Sequence, residues 1–296
     1  MPSGILLLDK PRGLSSNAAL QRVRRLLNGV KAGHAGSLDP LATGMLPICL
    51  GEATKIVGDI VSGEKHYRFT VSLGAATASG DAEGAITARA AVPVLTRAGV
   101  EQVLHGFLGT QTQVPPMHSA LKVGGAPLYR LARAGLTVER APRTIELKEL
   151  KLLALEPGSL EIEARCSKGT YIRVLAEDIA VRLGTLGHVS ALRRLSVEPF
   201  DESAMITLES LEAGCASGAA VSLLPLDLPL AHLPAVRLDA ARAARLLRGQ
   251  AVAGAQNEPA LAAGRVRLYD DAGRFLGVGT TDGTGLVRPR RLLNME

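Results

Sequence analysis

From residue 1 to about residue 210, short β-rich runs alternate with amphipathic helical stretches, and this alternation limits the chain to a mixed α/β or α+β domain. The strand-like runs are residues 4–8, 67–73, 145–155 and 160–166, and the helical stretches are residues 16–27, 95–105, 127–134 and 172–183. With 296 residues, 47% of them hydrophobic, the chain can bury one large core and a smaller second one.

Between residues 213 and 234 the composition shifts to Ala, Ser, Gly, Leu and Pro, and Pro225, Pro229 and Pro234 break any long element. A domain boundary is expected there, dividing the chain into residues 1–230 and 231–296. Beyond it the pattern predicts a short helix over residues 240–247. A hairpin of residues 266–269 and 275–278 follows, joined by the turn Asp270-Asp271-Ala272-Gly273. The second unit reads as a small β-rich module.

Several function classes drop out. The longest apolar run near the start, residues 5–8, is too short for a bilayer and lacks the flanks of a secretory signal, so a cytoplasmic address and no membrane partner are expected. Three cysteines, Cys49, Cys166 and Cys215, form no CxxC pair, which argues against a disulfide framework or a thiolate zinc site. Six histidines give no HExxH and no His-x-His pairing, so no metal is expected. No GxxxxGK[ST] or GxGxxG loop is present. Lysine and arginine outnumber carboxylates by 34 to 28, for a net charge of +6 and a pI near 9.5, a balance that favours a polyanionic partner.

One segment carries candidate chemistry: Gly33-His34-Ala35-Gly36-Ser37-Leu38-Asp39-Pro40-Leu41-Ala42-Thr43-Gly44, then Leu46-Pro47-Ile48-Cys49-Leu50-Gly51. Its first twelve residues, with three glycines and a proline, call for an irregular loop that something can approach closely. Pro40 biases Asp39 towards an extended pose. On the residues alone, Asp39 is either an ordinary Asp-Pro turn starter or a carboxylate aimed at a substrate.

This segment resembles the GHxGxLDPxAxGxLxxxxG signature of the TruB family of tRNA pseudouridine synthases. The likeness continues in the opening GILLLDKPRG of residues 4–13, in Lys65-His66-Tyr67 and in Pro115-Pro116-Met117-His118-Ser119-Ala120-Leu121-Lys122. It extends to Cys166-Ser167-Lys168-Gly169-Thr170-Tyr171-Ile172-Arg173, to Leu192-Arg193-Arg194 and to a C-terminal segment similar to a PUA RNA-binding domain. Ala35 and His118 depart from the usual residues of the signature, and His118 could alter packing near the RNA.

The resemblance implies a pseudouridine-synthase catalytic domain with a mixed, largely antiparallel central sheet and a PUA-like C-terminal domain. It implies isomerisation of a uridine in the T-arm loop of tRNA by base flipping, with no cofactor, metal or protein partner, in a monomer that also assists tRNA folding. Asp39 matches the family nucleophile, which must stay ionised although its pocket desolvates it. Arg173 matches the arginine that pairs with it, where a guanidinium can grip a carboxylate with two parallel bonds; alone, it reads as a solvated strand-end arginine. Tyr67 matches the active-site tyrosine that stacks on uracil and can assist the carbon-5 proton; alone, it reads as core.

Tyr171 and Leu192 are expected to wall the same pocket, and His34 to enter the RNA loop vacated by the flipped base. Lys10 is either a phosphate or loop contact or a surface ion pair. The clusters Arg22-Arg24-Arg25, Arg193-Arg194 and Arg288-Arg290-Arg291 read alone as solvated faces, and beside the RNA-type motifs as phosphate contacts. The last would set the C-terminal module against the acceptor arm. Two other readings remain: the catalytic subunit of a guide-RNA particle, and a non-catalytic RNA-binding module.

Overall fold

The computed structural model describes residues 3–253 and 261–294; the remainder of the expected 231–296 module lies outside the described residues. A mixed, mostly antiparallel sheet organises the first two thirds of the chain. Its strands run in the order Met205–Thr207, Gly4–Lys10, Thr43–Leu50, Gly187–Val197, Lys65–Leu73, Ser159–Cys166, Arg143–Glu156 and Gly109–Gln113, with Ala32–His34 added beside Thr43–Leu50. The expected mixed fold is borne out.

Besides the shorter Ala32–His34, Gly109–Gln113 and Met205–Thr207, two long strands of this sheet are not among the strand-like runs of the sequence. Thr43–Leu50 contains Gly44 and Pro47, and Gly187–Val197 is interrupted by His188, Ser190, Arg193 and Arg194. Yet Gly187–Val197 is the joint of the whole sheet. It pairs antiparallel with Lys65–Leu73 along its length, and parallel with Thr43–Leu50 through Arg193↔Thr43 and Arg194↔Gly44.

Strand alternation sorts the core into clusters. Tyr67, Phe69, Val71, Ile162, Ala164, Val189 and Leu192 pack with Ile172, Leu175, Ala176 and Ile179 of the helix Ile172–Arg182 and with Val100 and Leu104 of Arg97–His105. Leu6, Leu8, Leu46, Ile48 and Leu50 instead pack against Ala19, Leu20 and Val23 of the helix Ser16–Leu26, whose N-cap is Ser15. Removing this much apolar surface from water is the main drive for the fold, at about 25 cal/mol per Å².

The proline-rich stretch near residue 225 is packed rather than free. Leu224 forms a bridge with Ile5, and Leu226 and Leu230 are buried beside Ile5, Leu7 and Cys49. Downstream lies a separate five-stranded sheet, in the order Ala235–Leu238, Gly264–Asp270, Phe275–Thr281, Leu286–Leu292 and Val252–Ala253, with the helix Ala240–Leu247 against it. The expected hairpin is there, turning over Asp270 and Gly273. This module also shares a core with the first domain, since Phe275, Val278 and Leu293 join the cluster of Ile5, Met45 and Cys49. Lys55 Nζ donates to Leu292 O at 2.8 Å, Arg265 pairs with Asp59 at 2.6 Å, and the Asn294 N–H donates to Glu52 Oε2 at 2.6 Å. Among the described residues no helix is long and apolar enough to cross a membrane.

Candidate active site

Asp39 rides on the loop between Ala32–His34 and Thr43–Leu50, and its neighbours hold it from several directions. Ser16 Oγ accepts the Leu38 N–H at 2.7 Å and donates to Leu38 O at 3.0 Å. Gly13 N–H donates to Pro40 O at 2.7 Å. Leu38, Leu41 and Ala42 are buried in the main cluster. Arg194 donates from Nη2 to Gly36 O and from Nε to Met45 O, each at 2.8 Å. The loop's glycines are required where this happens: Gly44 has φ +96°, and a Cβ there would lie 2.2 Å from Arg194 O.

Arg173, in the first turn of the helix Ile172–Arg182, meets this loop. Its Nε lies 3.0 Å from Asp39 Oδ2 and its Nη2 donates to Asp39 Oδ1 at 3.3 Å, a two-point contact. Nη1 and Nη2 also donate to Ser79 O at 2.7 Å and His118 O at 2.6 Å. The Arg173 side chain is 5% exposed while that of Asp39 is 39% exposed, so the carboxylate has an open side and the guanidinium does not. Burial pushes the Asp39 pKa above the ordinary carboxylate value, and the Arg173 charge opposes that rise.

Sequence reasoning missed a second carboxylate. Asp81 Oδ2 lies 3.8 Å from Arg173 Nε, and Asp81 Oδ1 accepts from Ser79 Oγ at 2.6 Å and from the Glu83 N–H at 3.1 Å. Asp81 is 4% exposed, and its loop is tied to Gly187–Val197 through Ala82 N–H to Val189 O and Val189 N–H to Gly80 O. In sequence it reads as an ordinary Ser-Gly-Asp turn. Nothing local separates it from other such turns.

The structure brings Tyr67 and Leu192 into the cluster that holds Leu38 and Leu41, each 8% exposed. Burial raises the Tyr67 pKa, and the charge and hydrogen bond of Arg194 pull it back. Tyr171, half-buried, is fixed just before Arg173: its N–H donates to Gln113 Oε1 at 3.0 Å and its carbonyl accepts from Gln113 Nε2 at 3.3 Å. His34 is half-buried with Nδ1 buried and without a partner among the described residues. Burial, helped by the Arg194 charge, lowers its pKa, so the imidazole is neutral at physiological pH.

Of the alternatives for Lys10 the loop contact is the one formed and the surface ion pair is not: Lys10 is fully buried, and its Nζ donates to Pro11 O at 2.8 Å and Leu14 O at 2.7 Å, closing the turn that carries Gly13. Burial lowers its pKa to about 8, against the pull of Asp39. The Arg193-Arg194 pair is not a free basic face either. Arg193 grips Asp9 with two bonds of 2.9 Å, and Arg194 is 1% exposed, because neighbouring residues of a strand point to opposite faces. Elsewhere Arg22 pairs with Glu212 at 2.7 Å and Arg288 with Asp282 at 3.2 Å, while Arg25, Arg290 and Arg291 are exposed.

A cavity of about 200 Å³ opens beside the loop over Leu41, Thr43, Leu192, Arg12 and Arg193. A larger one, about 610 Å³, lies over Lys65, His66, Arg68, Glu163 and Phe200 and is lined by none of Asp39, Tyr67 and Arg173. Asp39 is thus a partly exposed carboxylate paired with a buried cation, and its flanking Leu38 and Leu41 lie in the cluster that holds Tyr67.

Family comparisons cover nearly all of the chain. Residues 24–172 match the TruB family pseudouridylate synthase N-terminal domain, residues 173–230 the tRNA pseudouridylate synthase B C-terminal domain, and residues 234–293 the pseudouridine synthase II TruB C-terminal domain. The tRNA pseudouridine synthase B of Aromatoleum aromaticum is 50% identical over 291 residues, covering 98% of this chain and 92% of the relative. That of Stutzerimonas stutzeri is 49% identical over 298 residues, covering 99% and 96%. Among solved structures, a Cbf5-Nop10-Gar1 complex matches with a TM-score of 0.71 at 23% identity over 99% of this chain and 84% of that one. An H/ACA RNP bound to a substrate RNA containing 2'-deoxyuridine matches with 0.73 at 22% identity over 99% and 85%. At these identities the structural likeness bears on the fold alone.

Proposed function

The chain belongs to the TruB family of pseudouridylate synthases, and on that premise we propose that it isomerises uridine to pseudouridine in the T-arm loop of tRNA, with Asp39 as nucleophile. The observation that carries this reading is the two-point contact of Asp39 with the buried Arg173 on a loop clamped by Ser16, Gly13 and Arg194. A desolvated carboxylate is a stronger nucleophile than a hydrated one, provided a cation keeps it ionised.

In the reaction the bond from N1 of the base to C1′ of the ribose breaks and a bond from C5 to C1′ forms. The C5 proton leaves and N1 gains one. Asp39 supplies the electron pair for the covalent step and recovers it when the base is rejoined. Tyr67 stacks on the uracil and takes part in removal of the C5 proton, while Leu192 and Tyr171 complete the wall. His34, neutral through burial, fills the place of the extruded base by stacking, which offsets part of the few kcal/mol that flipping costs.

We assign residues 1–230 to catalysis and residues 231–296 to a PUA-like RNA-binding module, whose exposed Arg290 and Arg291 face the acceptor arm. The enzyme acts in the cytoplasm as a monomer, without cofactor, guide RNA or protein partner. The 50% identity to a relative named for tRNA favours this over the guide-dependent reading.

The test is tritium release from tRNA labelled at carbon 5 of uridine, with the purified chain and no cofactor or metal added. Stoichiometric release by the wild type and none by Asp39→Asn, with tRNA binding retained, is the expected result. No release by folded wild type that binds tRNA would overturn the stand-alone reading. Release by Asp39→Asn would remove Asp39 from the chemistry.

A further inference from the structure

Arg194 heads the fully buried side chains of the described residues in size, and no salt bridge joins it to a carboxylate among them. A buried, unpaired charge is costly, so its position calls for a reason beyond filling space. Its guanidinium reaches Gly36 O from Nη2 and Met45 O from Nε. These carbonyls stand on either side of Asp39, one before the loop's tight turn and one after it. Nη1 would lie 3.3 Å from a Cβ on Gly36, and the Arg194 backbone leaves no room for a Cβ on Gly44. In strand register Arg194 stands opposite Tyr67 on one flank and Gly44 on the other.

We propose that Arg194 is a positioning residue for the isomerisation: from the strand position paired with Tyr67 it ties both flanks of the Asp39 loop and so fixes the spacing between nucleophile and phenol. It touches no substrate and acts through Asp39 and Tyr67; the inference rests on the roles given to those two residues above. A neutral donor could close one of the loop's carbonyls. Only a planar group with several fixed N–H directions can serve both carbonyls at once. A lysine keeps the charge but not the fork.

The experiment compares Arg194→Lys, Arg194→Gln and Asp39→Asn in the full chain. It measures single-turnover tritium release at saturating tRNA, tRNA binding, and thermal unfolding. Both Arg194 variants are expected to bind tRNA as the wild type does and to unfold above the assay temperature. Arg194→Gln should release tritium roughly a hundredfold more slowly, the scale of a misplacement of about 1 Å, and Arg194→Lys should fall between it and the wild type. A folded Arg194→Gln with the wild-type rate overturns the proposal, as does a loss of rate matched by an equal loss of binding. Should Arg194→Gln fail to fold, Arg194→Lys decides: a reduced rate with intact binding supports the proposal and a wild-type rate overturns it. Tritium release by Asp39→Asn would refute the functional assignment itself. An inactive Asp39→Asn beside a fully active Arg194→Gln refutes only the role of Arg194.

Discussion

Arg173 Nε stands 3.0 Å from Asp39 Oδ2 while Arg173 Nη2 donates to Asp39 Oδ1, across 134 residues of sequence. One carboxylate thus occupies one edge of a guanidinium, and two further N–H groups are taken up by the Ser79 and His118 carbonyls. With four of its five N–H groups committed and 5% of its side chain exposed, Arg173 is held as a fixed charge, and a fixed charge needs no reorganisation in the proposed covalent step.

Replacing Arg173 by methionine leaves Asp39 and Asp81 near one another without their common cation. Arg173 opposes the burial that raises the Asp39 pKa, so without it the pKa rises further. The acid limb of the rate profile should move to higher pH, and the rate should fall far more than tRNA affinity. Tritium release measured across pH checks this, and an unchanged profile with an unchanged rate would remove Arg173 from the site.

Asp39 should also weigh on stability. Because burial raises its folded pKa, its favourable contribution is full below the unfolded carboxyl pKa and is lost as pH rises through the folded value. The melting temperature of Asp39→Asn relative to wild type should therefore increase over the window that opens at the unfolded carboxyl pKa of about 4. A constant difference across that window would contradict the raised pKa.

Gly44→Ala should be severely destabilising. The residue has φ +96°, and the new methyl would collide with the Arg194 carbonyl at 2.2 Å; strain and overpacking together cost about 3 kcal/mol or more. Gly13, at φ +87° with nothing within 4 Å of a new Cβ, isolates the conformational part, so Gly13→Ala should cost about 1–2 kcal/mol. Denaturant melts of the two variants give the comparison.

Lys10 supplies a pH test of opposite sign. Burial lowers its pKa from 10.5 to about 8, so between those values the unfolded chain binds a proton that the folded chain does not. Stability contributed by this group rises with pH across the window. Melts of wild type and Lys10→Met should show the wild type gaining on the variant from about pH 8 upward.

Much of this was readable from the residues. Several strands and helices carry clean periodicity: residues 145–155 and 160–166 become Arg143–Glu156 and Ser159–Cys166, and residues 172–183 become Ile172–Arg182. Motif likeness names Asp39, Arg173 and Tyr67; the first two meet, and Tyr67 lies in the cluster that holds Leu38 and Leu41. What escaped were the short strands Ala32–His34, Gly109–Gln113 and Met205–Thr207, the last two at the sheet's edges, and two long strands in its middle. Thr43–Leu50 and Gly187–Val197 hold glycine, proline, serine and arginine where buried strands ordinarily hold aliphatic residues. Their polar residues serve the site, so local pattern and tertiary role disagree there. Arg194 and Lys10 read as surface charges because their partners are backbone carbonyls, which leave no mark in a sequence. Asp81 was hidden for a related reason: its connection to Arg173 spans the fold.

The place of Gly187–Val197 in the sheet has a consequence for the nascent chain. Strands that flank it leave the ribosome well before it does, and the pairs Arg193↔Thr43 and Arg194↔Gly44 cannot form until it emerges. Gly36 waits 158 residues for the arginine that holds its carbonyl. The loop bearing Asp39 therefore lacks its contacts with Arg173 and Arg194 through much of translation, and its carboxylate gains its cation only after the chain has reached Arg173.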